Sequence, residues 1–172
     1  KHLRIVDAGT GSVCIAVILK LALPQAEVAA CDISEGALAV AQQNAHTLGV
    51  DVNFEQRDLL QPWHLPAQSI DLIVSNPPYI CENEAEHMEQ NVINHEPHTA
   101  LFVPNADPLR FYHALAQGAA QTLTKGGALL TEINRAFAHE TADAFAQAGL
   151  QDAEVRRDVF GNERMVGAFA GL

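Results

Sequence analysis

The sequence predicts an α/β domain built on a mostly parallel, seven-stranded sheet, with a C-terminal antiparallel hairpin. Three observations carry this. Short apolar runs alternate with longer runs of helical periodicity along most of the chain. The first three apolar runs end at Gly9, Asp32 and Asp58 and not at a two-residue hairpin turn. The last two runs flank Gly161-Asn162, as the arms of a hairpin do.

Taken in order, residues 3–8 read as the first strand, 12–23 as a helix and 27–32 as the second strand. Ser34 is placed as the N-cap of a helix with Ala37, Leu38, Ala41 and Ala45 on one face, stopping at Gly49. Residues 52–57 and 70–75 are strands three and four. A polar, glutamate-rich segment follows. Its residues 80–107 exceed the usual loop length, and such loops in compact domains tend to be lids or binding segments. Helix resumes over 109–123, ends at Gly126-Gly127, and gives way to a strand over 128–133. A last helix covers 135–148, and strands 153–159 and 165–170 form the hairpin, which is expected to put one antiparallel strand at the sheet edge.

The chain has 172 residues, the size of one domain, so residues 1–172 are read as a single unit. Apolar residues make up 48% and charged residues 18%, too apolar a balance for a disordered chain. The longest apolar stretch is interrupted by Lys20 and Pro24, short of the roughly 18–20 residues that span a bilayer. Cys14, Cys31 and Cys81 are odd in number and lack CxxC spacing, so small buried thiols in a reducing compartment are expected. Together these features lead to an expectation of a cytoplasmic protein without membrane contact. Net charge is −11, and no Lys or Arg occurs between Arg57 and Arg110. A protein that follows a phosphate backbone needs cations there, so direct nucleic-acid binding is not expected.

Two motifs carry chemistry. Val6-Asp7-Ala8-Gly9-Thr10-Gly11-Ser12 joins the first strand to a helix. Its glycines permit a tight turn and a close ligand approach, and the helix N-terminus offers free N–H groups to an anion. Asp32 ends the neighbouring strand, where a carboxylate can accept hydrogen bonds from both hydroxyls of a ribose. Asp58 ends strand three in the same way and can accept from an adenine amino group. Ser75-Asn76-Pro77-Pro78-Tyr79 follows strand four directly. Asn76 and Pro77 both precede proline and are driven to extended conformations, so the segment is rigid before a substrate arrives. The Asn76 side-chain carbonyl and the Pro77 backbone carbonyl can accept both hydrogens of one NH2 group, and Tyr79 supplies a wall for a flat substrate. His87, His95 and His98 lie among Glu84, Glu86 and Glu96, but in no metal-ligand spacing, and no metal is expected.

With these motifs placed, the chain resembles the peptide chain release factor glutamine N5-methyltransferases. Asn76-Pro77-Pro78-Tyr79 matches that family's NPPY. His95-Glu96-Pro97-His98-Thr99-Ala100-Leu101 resembles its EP-x-x-AL segment, and Asp158, Gly161 and Arg164 match its terminal D-x-x-G-x-x-R hairpin. Asp107-Pro108-Leu109 fits a variant of its DGL segment. The resemblance implies a Rossmann-like class I fold and the cofactor S-adenosyl-L-methionine. It implies a cofactor site at Gly9, Thr10, Gly11, Ser12, Val13, Asp32, Asp58, Leu59 and Asn76. Asn76, Pro77, Pro78 and Tyr79 are then the catalytic residues, holding the glutamine of a release factor's GGQ tripeptide. Val13 departs from the family, which usually has glycine there. Family members also carry an upstream helical docking domain, expected to be absent from this chain, and a monomer is expected. Two other readings share the motifs: an adenine-N6 DNA methyltransferase acting on a flipped base, and a non-catalytic cofactor-binding module.

Overall fold

The structure, a computed structural model, describes residues 2–12, 14–87 and 101–171. Its elements are β1 (Arg4–Ala8), α1 (Cys14–Ala22), β2 (Glu27–Asp32), α2 (Glu35–Thr47), β3 (Asn53–Gln56) and β4 (Ile70–Ser75). The short β5 (Ile80–Cys81) and β6 (Phe102–Val103) follow, then α3 (Arg110–Thr122), β7 (Leu123–Glu132), α4 (Ala138–Gln147), β8 (Gln151–Arg157) and β9 (Glu163–Phe169). Seven strands make one sheet in the order β3-β2-β1-β4-β7-β9-β8, while β5 and β6 pair separately. The expected α/β class and mostly parallel sheet are borne out. No helix among the described residues is long and apolar enough to cross a membrane.

Alternation along the strands divides the core. Ile5, Val28 and Ala30 pack with Ala16 and Val17 of α1 and Ala41 and Ala45 of α2 on one face. Their chain neighbours Val6, Ala29 and Cys31 point the other way, towards Trp63, Tyr112 and Leu115. Ser34 caps α2 as expected, accepting the N–H of Ala37 at 3.2 Å. The parallel register is tight at the carboxyl edge, where Ala8 sits opposite both Cys31 and Ser75. At the amino edge, Asp71 Oδ2 accepts from the backbone N–H and Nε of Arg4, and Thr124 Oγ1 donates to its Oδ1. The carboxylate thereby ties β1, β4 and β7 together.

Three expectations are corrected. Helix α3 ends at Thr122 and not at Gly126-Gly127, because Leu123 is already extended (ψ 141°) and pairs with Ile70 of β4. The glycine pair instead serves an irregularity inside β7: Gly126 has φ +70°, and a Cβ on Gly127 would lie 2.9 Å from Thr124 O and 3.1 Å from Asp71 O. The antiparallel strand is β9, one position in from the edge, and β8 outside it runs parallel to the rest of the sheet. Of the cysteines, Cys31 and Cys81 are buried free thiols, but Cys14 opens α1 on its exposed side.

Trp63, the sole tryptophan, lies buried on α3 where the helix carries Gly118. A Cβ there would lie 2.5 Å from Trp63 Cδ2. Glycine inside a helix ordinarily loses about 1 kcal/mol to alanine. Here the order is reversed: Gly118→Ala is expected to destabilise the protein by roughly 1–3 kcal/mol through overpacking. Urea unfolding followed by Trp63 fluorescence measures it, and a stabilised variant contradicts it.

Candidate active site

The strand order reverses at β1. The chain leaves β1 for β2 and β3 on one side, then returns to place β4 on the other. Loops leaving β1 and β4 therefore part company at the carboxyl edge and leave a crevice, the usual ligand position in such sheets. Gly9, Thr10, Gly11 and Ser12 follow β1 at this edge. The Gly9 and Thr10 N–H groups donate to Cys31 O at 2.8 and 2.9 Å, and Ser75 Oγ donates to Ala8 O at 2.6 Å, so the loops on both sides are anchored to neighbouring strands.

Asp32 ends β2 beside this loop. Its Oδ2 accepts the Gly11 N–H and its Oδ1 the Ser34 N–H, both at 2.9 Å. An ionised carboxylate has about four acceptor positions, so each oxygen can still take a further donor. Asp58 closes a turn after β3, its Oδ1 accepting the Leu60 N–H at 2.9 Å. Leu59 lies in the core, its Cδ1 3.4 Å from where a Cβ of Gly9 would stand. Gly9 has φ +74° and Gly11 φ +54°, which glycine adopts without the strain a side chain would bring. Val13 lies outside the described residues, as do His95, Glu96 and His98.

Asn76 is exposed at the end of β4, Pro77 is buried, and Pro78 and Tyr79 are half-buried. The Tyr79 hydroxyl donates to Glu132 Oε1 at 2.9 Å, and the Tyr79 carbonyl accepts from Asn134 Nδ2 at 3.1 Å. Burial, reinforced by the Glu132 charge, pushes the phenol up to about 12, so it stays a neutral donor. Asn134 Nδ2 also donates to Glu84 Oε2 at 2.9 Å, and that oxygen accepts the Cys81 N–H at 2.8 Å. Glu84 is thus an anchor under the NPPY segment and not the solvated loop residue that composition implies.

Asp7 is the residue that sequence reasoning passed over. It is fully buried at the end of β1, and its Oδ2 accepts from Thr10 Oγ1 at 2.6 Å and from the Ala16 N–H at 3.1 Å. One of the free N–H groups expected at the start of α1 is therefore used by Asp7, which approaches from the strand below. Its Oδ1 has no partner among the described residues. Burial raises its pKa to about 6, against the two hydrogen bonds, and the Asp32 charge adds to the rise. An acid after two apolar strand residues, two positions before a Gly-x-Gly turn, was the available signal.

This strand order, with the crevice between the β1 and β4 loops, defines the fold of the class I S-adenosylmethionine-dependent methyltransferases. A methyltransferase from Pyrococcus furiosus superposes with a TM-score of 0.70 at 15% identity, over 99% of this chain and 76% of that one. TrmN from Thermus thermophilus superposes with a TM-score of 0.65 at 22% identity, over 99% of this chain and 44% of that one. Residues 1–101 match the methyltransferase small domain family, and the chain belongs to that family. The likeness to release factor glutamine methyltransferases is borne out as well. The protein of that name from Bacteroides thetaiotaomicron is 44% identical over 165 residues, covering 96% of this chain and 59% of the relative. That from Bordetella pertussis is 44% identical over 169 residues, covering 96% of this chain and 60% of the relative. The chain thus spans about 60% of the length of these curated relatives.

The Asp7 shift fixes a pH dependence. A carboxyl whose folded pKa, about 6, lies above its ordinary 3.8 is bound more tightly by its proton in the folded state. Its contribution to stability is complete below about pH 4 and lost as pH rises through about 6. Asp7→Asn removes this loss. Its stability relative to the parent is expected to rise by roughly 2–3 kcal/mol between about pH 4 and about pH 8. Urea titrations at the two pH values check this, and a pH-independent difference contradicts it.

Proposed function

We propose that this chain is the catalytic domain of an S-adenosyl-L-methionine-dependent methyltransferase that methylates the side-chain amide nitrogen (N5) of the glutamine in a release factor's GGQ motif. The observation that carries the reading is the NPPY segment at the carboxyl edge, one strand away from the Gly9 loop and two from Asp32. The protein is read as a cytoplasmic monomer whose partner is the release factor.

The residues present fit the cofactor. The unpartnered Oδ1 of Asp7 leaves negative charge at the head of the loop, suited to a cationic ligand. Apart from its chain neighbours, no heavy atom of the described residues lies within 4 Å of where a Cβ of Gly11 would stand, so the loop is open there. Asp32 has acceptor capacity left for ribose hydroxyls, and Asp58 for an adenine amino group. Gly9, Thr10, Gly11, Ser12, Asp32, Asp58, Leu59 and Asn76 are the residues assigned to hold it. When bound, the cofactor supplies an electrophilic methyl group on a sulfonium.

An amide nitrogen is a weak nucleophile, because its lone pair is delocalised into the carbonyl. The contribution open to the protein is orientation. Asn76 Oδ1 and the Pro77 carbonyl accept the two N–H bonds and fix the plane of the amide, while Tyr79 packs against its face. A preorganised geometry of this kind can supply several kcal/mol of the barrier, up to about 7–11 in favourable cases. The prolines fix the backbone that carries both carbonyls, so the Pro77 carbonyl needs little ordering on binding and only the Asn76 side chain has still to settle.

Three measurements test the reading. Labelled S-adenosyl-L-methionine is offered with a GGQ peptide, an intact release factor and a DNA duplex. Label is expected on the glutamine and not on DNA. Asn76→Ala is expected to slow single turnover by roughly a hundredfold or more, with cofactor affinity changed far less; a rate within a few-fold of the parent removes NPPY from the chemistry. Asp32→Ala is expected to weaken cofactor binding by about 1–3 kcal/mol in calorimetry. Unchanged affinity there contradicts the ribose assignment.

A further inference from the structure

The hairpin residues Asp158, Gly161 and Arg164 match a family motif, yet neither cofactor nor substrate chemistry calls for them. In the structure they form one unit. Asp158 heads the turn between β8 and β9, its Oδ1 accepting the N–H groups of Phe160 and Asn162 at 2.9 Å. Gly161 supplies the left-handed position with φ +84°. Arg164 follows, its Nε 3.7 Å from Asp158 Oδ2 and its Nη1 3.9 Å from Glu132 Oε1. Glu132 Oε1 is the atom that accepts the Tyr79 hydroxyl. The turn, the arginine and the glutamate therefore end at the NPPY tyrosine.

These contacts do little for stability. Arg164 and Glu132 have side chains 40% and 33% exposed, and ion pairs so exposed typically contribute about 0–1 kcal/mol. Their geometry suits a different task. Glu132 is the last residue of β7 and is paired with Met165 of β9, so its backbone is held in the sheet. Asn134, two residues on, holds the Tyr79 carbonyl. Tyr79 is thus tied at its backbone and at its hydroxyl by groups from the same strand end. An aromatic wall orients a flat substrate only if its ring cannot swing, and a hydrogen bond at the far end of the ring stops that motion.

We propose that Glu132, backed by Arg164 and Asp158 of the hairpin, is a positioning residue that fixes the Tyr79 ring against the acceptor amide. The proposal rests on the glutamine-methylation reading above. Glu132 touches neither substrate nor cofactor in this role. It acts through Tyr79.

Single turnover on a GGQ peptide tests it, together with NMR of the chain carrying 13Cζ-tyrosine, whose two signals come from Tyr79 and Tyr112. Glu132→Ala is expected to slow transfer about tenfold at saturating peptide, the scale of a displaced orienting group, with cofactor affinity unchanged. Glu132→Gln, which keeps an oxygen for the phenol, is expected to recover most of the rate. The Tyr79→Phe/Glu132→Ala double variant is expected to be no slower than the slower single variant. The Tyr79 resonance should move in Glu132→Ala by clearly more than that of Tyr112, which also feels the Glu132 charge, and should return in large part in Glu132→Gln. If Glu132→Ala does not fold, Glu132→Asp, which keeps the charge but loses reach, takes its place with the same expectations. A rate within about twofold of the parent, or additive losses in the double variant, overturns the proposal. A parent chain that transfers no methyl to the peptide overturns the function reading instead. The Tyr79 resonance then decides alone: an unmoved signal overturns the hold of Glu132 on the ring, and a moved one supports it.

Discussion

The parallel pairing of β1 with β4 is the constraint on which the site depends. It sets Ala8 opposite Ser75, and the buried Ser75 hydroxyl closes the junction on the Ala8 carbonyl at 2.6 Å. From that point one loop turns towards β2 and the other towards the NPPY segment. This register sets the strand end that leads into the glycine loop beside the strand end that leads into Asn76. The apolar run of β4 serves this pairing: Ile73 and Val74 are both buried, one on each face of the sheet, as expected of a central parallel strand.

Much of this was legible in the sequence. Acid-ended strands, the Gly9/Gly11 turn and the two adjacent prolines each leave a local chemical mark, and local marks survive in a linear reading. The end of α3 did not, because a glycine pair after a helical run looks like a helix stop. Only the long-range pairing of Leu123 with Ile70 shows that Gly126 and Gly127 belong inside a strand. The same limit hid Glu84 and Glu132. An exposed-looking glutamate becomes an anchor only through partners about 50 residues away: Asn134 for the first, Tyr79 for the second. Asp7 was visible as a residue but not as a charge problem, since its burial comes from elements that pack over it later in the chain.

Asn134 shows how much of the site rests on one polar side chain. Its Oδ1 accepts the Ala136 N–H at 3.0 Å and so caps the turn before α4, while its Nδ2 reaches both Tyr79 O and Glu84 Oε2. Its backbone N–H donates to the hydroxyl of Tyr112, one of the most deeply buried side chains. Buried polar networks of this kind are high-stakes, since each group left unpaired costs its full desolvation. In return they allow a single geometry. The rigidity that the prolines give the NPPY backbone from within is matched by this clamp from outside.

The outermost strand, β8, also governs how the molecule meets others. Asp152 sits there with φ +53° beside a register shift between Gln151 and Glu154, and a second shift falls between Arg156 and Arg157. Glu154, Arg156 and Arg157 carry charge along the same strand. At the opposite margin β3 is only four residues long and carries Glu55, paired with Arg57 just beyond it. A strand arriving at either margin finds a broken ladder of backbone groups or a short, charged one, and either is a poor template for further pairing. The sheet is thereby kept at seven strands, and its unpaired backbone is shielded from the edge-to-edge growth that leads to aggregates.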